Sequence, residues 1–225
     1  MTIDNFSKVV QSLFYLIAGS VAVLTYLKAK NGLLNSVNTE YQKKVLERLG
    51  ALSSDLFAEF DPSSERHWVH RRTAEFVHKA IHEELAPYRS DIVRKKADVR
   101  DYIGIPVPPE FRELEALAAQ IRSDPFIPEG IRRRVVAYLS GRSHCLMDAI
   151  IIEAEHYFDG LNDGRYWDDK HASSWLNNRV NDRLNKGGFG ISDCDRIVNE
   201  IRDSIRQHYE GFDPFRTPLR KWHLF

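Results

Sequence analysis

The sequence predicts an all-α protein, with one N-terminal transmembrane helix followed by a cytoplasmic multi-helix domain. Three observations carry that prediction. Residues 9–27 run without a single charge. Downstream, apolar residues recur at spacings of three and four in one segment after another, the period of a helix with one buried face. No stretch of useful length alternates apolar and polar residues as a strand would, and there is no internal repeat.

The charge-free run covers 19 residues. At about 1.5 Å per residue it makes roughly 28 Å of helix, close to the hydrocarbon thickness of a bilayer. A buried core helix is the rival reading, because Gln11, Ser12, Gly19, Ser20 and Thr25 dilute the apolar character. Basic residues set the expected orientation. Only Lys8 precedes the run, opposed by Asp4, whereas Lys28, Lys30, Lys43, Lys44 and Arg48 follow it. Basic flanks stay in the cytoplasm, so the N-terminus is expected outside and the large C-terminal part inside, at an inner (cytoplasmic) membrane. A cleaved signal peptide fits less well, since Lys28 and Lys30 stand where a small-residue cleavage site belongs. The expected division is 1–8 extracytoplasmic, 9–27 transmembrane, 28–36 juxtamembrane and 37–225 a cytoplasmic helical domain. Ala18 and Ala22 form a small-xxx-small pair that lets two such helices approach closely.

The formal net charge of the 225 residues is zero, so no global basic field points to nucleic acid and no acidic surplus to disorder. Cys145 and Cys194 are far apart and in no CxxC pattern, which reads as two buried thiols in a reducing compartment.

From residue 38 to 60, Tyr41, Val45, Leu49, Leu52, Leu56 and Phe60 form a seam suited to packing on another helix, of the same domain or of a second copy. Asp61-Pro62 ends it. Ser63 or Ser64 is expected to cap a second helix running to Leu85, with Val69, Phe76, Val77, Ala80 and Ile81 on one face. Residues 89–100 mix charges around Ile92 and Val93, as a solvated helix does. Pro106, Pro108 and Pro109 force an irregular connection. Pro109 then opens a helix with the stripe Phe111, Leu114, Leu117 and Ile121. From Glu129 to Phe158 the chain reads as one helix, with Ser140-Gly141 a possible bend and Asp159-Gly160 and Asp163-Gly164 as turns. Trp175, Val180 and Leu184 belong to the next helix, closed by Gly187-Gly188-Phe189-Gly190. Ser192 is expected to cap the last, which carries Ile197, Ile201 and Ile205. The aromatic tail 212–225 is expected to drape over the domain.

Four patterns carry candidate chemistry. His67, His70, His78 and His82 would share an arc of one helix, and His78 with His82 at i, i+4 could reach one ion. Glu75-x-x-His78 and Glu153-x-x-His156 repeat the spacing that di-iron bundles use, with Glu47 or Glu59 and Glu110 or Glu113 as further carboxylates. Arg132-Arg133-Arg134 and the loop cluster Tyr166, Trp167, Asp168, Asp169 and His171 read as solvated or partner-facing surface. Arg202 and His208, six residues apart, resemble the arginine–histidine motif on a late helix of all-α ribonucleases of the HEPN superfamily. That resemblance covers seven residues. It implies a metal-independent ribonuclease, of toxin or antiviral-defence type, in which paired Arg and His side chains of two protomers handle a phosphate and a proton.

The function expected first is non-catalytic: a membrane-anchored interaction or assembly protein, homo-oligomeric through Ala18, Ala22, Val45, Leu49, Leu52 and Leu56. Its partners are the lipid bilayer, further copies of itself, and RNA or a cytoplasmic protein. No cofactor is expected. The anchored ribonuclease is the alternative, and a metal-binding bundle the third reading.

Overall fold

The computed structural model describes residues 3–211, without the side chains of 3–12 and 31–35. Among the described residues every regular element is helical and none is a strand. The α-helices are α1 (Ile3–Phe57), α2 (Thr73–Leu85), α3 (Arg89–Val93), α4 (Pro109–Ser123), α5 (Glu129–Asn162), α6 (Ala172–Lys186) and α7 (Ile191–Glu210). Short 3-10 turns lie at Trp68–His70, Ala86–Tyr88 and Val99–Asp101. The chain divides into two units, Met1–Glu47 and Arg48–Phe225. The tail 212–225 lies outside the described residues.

The first unit is helical from Ile3 onward. Leu13–Lys30 is apolar enough, and long enough, to cross a membrane, and none of it is buried. Large side chains such as Phe14 (66% exposed), Leu16 (69%) and Leu24 (65%) stand open around the helix.

The second unit is built around α5. Its buried residues occur on several sides, from Val135 and Leu139 through Leu146 and Ile150 to Tyr157 and Leu161, as expected of a helix enclosed by neighbours. It packs against α3, α4, α6 and α7, while α2 packs on α6. A stretch of α5 is as apolar as the N-terminal run, but 44% of that stretch is buried inside the unit, which marks a core helix. Leu49, Leu52 and Leu56 of α1 are at most 5% exposed, as is Val45. Leu49, Leu52 and Leu56 thus belong to the apolar core of the second unit, as a seam packed within one domain requires.

Helix boundaries depart from expectation where side chains compete with the backbone. The second helix begins at Thr73, eight or nine residues late. Asp61 and Ser64 each accept a hydrogen bond from a backbone N–H two residues on, at Ser63 (2.9 Å) and Arg66 (3.1 Å), and these local turns displace the helix. Its buried face is Ala74, Val77, Ile81 and Leu85, with Phe76 and Val69 exposed. The solvated helix expected over 89–100 stops at Val93, and Lys95 takes the left-handed conformation at φ 55°. The last helix is capped by Gly190 rather than Ser192.

No turn forms at Asp159-Gly160, and α5 runs through to Asn162. Gly160 is buried beneath the ring of Tyr166, which stacks between Tyr157 (5.0 Å) and Trp175 (5.1 Å). A Cβ at Gly160 would overlap that ring. Gly160→Ala is therefore expected to destabilise the domain. The overlap costs about 1–3 kcal/mol and outweighs the ~1 kcal/mol that alanine gains over glycine in a helix. Gly130→Ala, where a Cβ meets nothing within 4 Å, is expected to be neutral or stabilising. Chemical denaturation of the two variants checks the contrast.

Candidate functional site

Among the described residues the most buried cation is Arg142, at mid-α5, with 6% exposure. A guanidinium so placed needs partners, because an unpaired buried charge costs several kcal/mol. It finds them on two other segments. Nη1 donates to both oxygens of Glu59 (2.7 and 2.8 Å) and to the Tyr138 hydroxyl one turn earlier (2.8 Å), and Nη2 reaches Glu110 (3.3 Å). Arg71 closes the ring, donating to Glu110 at 2.6 Å and to Glu59. Thr73 adds a hydroxyl donor to Glu110 at 2.5 Å.

Local sequence explains how these groups meet. Glu59 lies just past the end of α1, and its carbonyl accepts the Trp68 N–H at 2.9 Å, which folds the chain back so that Arg71 returns beside it. Arg71 has extended backbone, φ −72° and ψ 127°, immediately before α2. Glu110 follows Pro109 in the first turn of α4, where the helix dipole favours an anion. Burial pushes the Glu59 carboxyl above its ordinary value, against the opposing pull of Arg71. Burial also acts to lower Arg71, but Glu110 and Glu59 outweigh it and hold the guanidinium more firmly charged. Tyr138 is raised, first by burial and then by the Glu59 charge.

Arg71, Thr73, Glu110 and Arg142 form the common wall of two cavities, of about 590 and 780 Å³. The larger is edged by charged side chains, including Arg66, Arg72, Glu65 and Glu113. The smaller has apolar sides, with Leu146, Val180, Leu184 and Phe189 among them, and a row of asparagines on α6. Cys194 lines it too, its thiol pushed up to about 12 by burial, which keeps it a neutral thiol at ordinary pH.

A second buried charge lies further along α5. Glu153, 1% exposed, accepts from Arg179 Nε at 3.0 Å and from Arg183, and His156 Nδ1 lies 3.4 Å away. Burial alone would raise its carboxyl, but Arg183 and Arg179 hold it below the ordinary value.

The residues expected to hold a metal are not brought together. Glu153 is satisfied by two guanidiniums, Glu75 pairs with Arg72 (3.0 Å), and His78 stacks on His82 (4.4 Å between centroids). Glu59 and Glu110 belong to the arginine cluster. Among the described residues no group of three or more His, Cys, Asp or Glu side chains is placed to bind an ion. His67 and His70 flank a 3-10 turn, apart from the helix that carries His78 and His82. Arg202 and His208 lie on α7. Arg202 packs on the Phe57 ring (4.1 Å) and donates to Ser53 Oγ (3.2 Å). Ala18 and Ala22 are exposed on α1.

Sequence reasoning missed Arg142, Arg71 and the asparagine row. Arg142 sits among apolar residues at helical spacing, between Leu139 and Leu146, and a lone charge on a buried face was the available signal. Comparison with protein-family models, with curated proteins and with solved structures finds no match to this chain.

The histidine stack generates a pH prediction. His82 Nε2 lies 2.8 Å from the Tyr157 hydroxyl, and its pKa is lowered to about 4 by burial, then by the His78 and Arg89 charges. The unfolded chain protonates His82 near 6.5 and the folded chain only near 4. This contribution to stability is complete above pH 6.5 and declines as pH falls toward 4. His82→Asn is expected to flatten the acid side of the stability–pH curve, measured by urea unfolding between pH 4 and 7. Parallel curves for the two proteins would contradict it.

Proposed function

We propose that the chain is a single-pass membrane-anchored interaction and assembly protein whose helical domain acts in the cytoplasm. The observation that carries the reading is Leu13–Lys30, an apolar helical stretch with no buried residue. Its 18 residues make about 27 Å of helix, enough for a bilayer core. Water is a costly surrounding for it, since each large apolar side chain left exposed forgoes about 1.5–3 kcal/mol. Lipid removes that penalty without any further protein contact. The basic residues that follow, from Lys28 to Arg48, support an N-out, C-in orientation.

The exposed Ala18 and Ala22 support self-association within the bilayer. Cleavage of RNA by Arg202 and His208 draws no such support, because Arg202 is engaged with Phe57 and Ser53.

The expected outcome is that the full chain stays with membranes through an alkaline carbonate wash and keeps its N-terminal residues. In spheroplasts the domain is protected from added protease. A chain beginning at Val37 is soluble and keeps its helical circular dichroism. Release by carbonate, or an N-terminus found after residue 27 in the mature protein, would overturn the anchor.

A further inference from the structure

The larger cavity is a groove within the second unit, and its floor and rim differ in character. Apolar side chains of three helices form the floor: Leu56 of α1, Leu114 and Leu117 of α4, and Leu139 of α5. Phe76 of α2 stands at one edge with its ring 41% exposed.

Charge on the rim is unbalanced. Every arginine lining the groove has an acidic partner. Arg66 pairs with Asp55 (2.8 Å), Arg72 with Glu75 (3.0 Å), and Arg71 and Arg142 with Glu59 and Glu110. Glu65 and Glu113 are exposed on the rim and have no cationic partner among the described residues. The groove is therefore apolar below and acidic at its edge, which suits a segment that is both apolar and basic.

Such a segment follows α7. Residues 219–225 read Leu-Arg-Lys-Trp-His-Leu-Phe, two adjacent cations among four large apolar side chains. Its root is near the groove. Along α1, Arg202 packs on Phe57, and the Tyr209 hydroxyl lies 3.6 Å from where a Cβ on Gly50 would stand. From Gly50 to Leu56 is about 9 Å along the helix, and crossing α1 adds about 10 Å. At about 3.3 Å per extended residue, residues 212–218 can cover that path and leave 219–225 for the groove.

We propose that residues 219–225 dock in this groove of their own chain, with Trp222 on the apolar floor beside Phe76 and with Arg220 and Lys221 at Glu65 and Glu113. A tryptophan ring supplies large apolar area and packs well on another aromatic ring. The short tether makes the contact intramolecular, at an effective concentration in the millimolar range. Modest intrinsic affinity therefore suffices, and the tethered tail outcompetes that of a second copy in dilute solution. An anionic bilayer also attracts a basic aromatic segment, but two adjacent cations against two unpaired carboxylates within reach favour the groove. The inference is independent of the membrane reading, because the groove and the end of α7 both lie within the second unit.

The test places the photoreactive residue benzoylphenylalanine at position 222 of the full chain in non-ionic detergent and maps its cross-links by mass spectrometry. Cross-links are expected within one chain, to segments 65–76 or 109–117. Glu65→Gln combined with Glu113→Gln, both at exposed positions, is expected to lower that yield about threefold to tenfold. Reversing charge on both sides, with Glu65→Lys, Glu113→Lys, Arg220→Glu and Lys221→Glu together, is expected to restore it. Cross-links only to detergent, only elsewhere on the domain, or only between copies in a mixture of isotope-labelled and unlabelled chains would overturn the proposal. So would an unchanged yield in the double glutamine variant. Transfer of the cross-link from the groove to lipid in vesicles of phosphatidylcholine and phosphatidylglycerol would overturn it in favour of the bilayer.

Discussion

A full positive charge at the centre of α5 is the constraint around which the second unit is arranged. Arg142 is enclosed, so its partners must be brought to it from elsewhere in the chain. Glu59 comes from the end of α1, Glu110 from the first turn of α4, and Arg71 from the segment before α2. Each lies at a helix boundary, where a side chain can reach inward without disturbing an intrahelical bond. The cluster therefore fixes where three helices start or stop. Apolar packing through Leu49, Leu139, Ile150 and Ile205 supplies the bulk of the burial, and the ion pairs select one register among the packings it would allow. Glu153, with Arg179 and Arg183, ties α6 to α5 in the same manner.

The ion cluster also leaves space. Four of its side chains form a wall that the two cavities share, because planar guanidiniums and carboxylates do not fill the gap between diverging helices as aliphatic groups would. On the side toward α6 that gap is lined by unpaired amides.

Much of the helical layout was legible in the sequence, since it rests on spacing. Leu114 and Ile121, seven residues apart, and Ile201 and Ile205, four apart, are all buried, as is Val180, whereas on the helix of Val180 the expected Trp175 and Leu184 are only half-buried. Boundaries were less legible wherever a side chain outweighed propensity. Ser64 and Asp61 delay α2, and the ring of Tyr166 keeps Gly160 inside α5, neither of which a periodic pattern records. The site was least legible. Nothing local distinguishes Glu59 from Glu47, or Arg142 from any helix arginine, because their importance comes from contacts 83 and 32 residues apart. The spacing motifs failed for the same reason. Two Glu-x-x-His sequences set the distance between neighbours on one helix and say nothing about which helices face each other.

The claim that Arg142 organises the domain is tested most directly by a double-mutant cycle between Arg142→Met and Glu59→Gln, read as unfolding free energy in urea. A side chain that brings Glu59 into the core must be coupled to it, and the account predicts a coupling energy of at least about 2 kcal/mol. Each single variant is then more destabilising than the double variant would suggest. Additivity within about 0.5 kcal/mol would contradict the account, and would leave the fold to apolar packing alone.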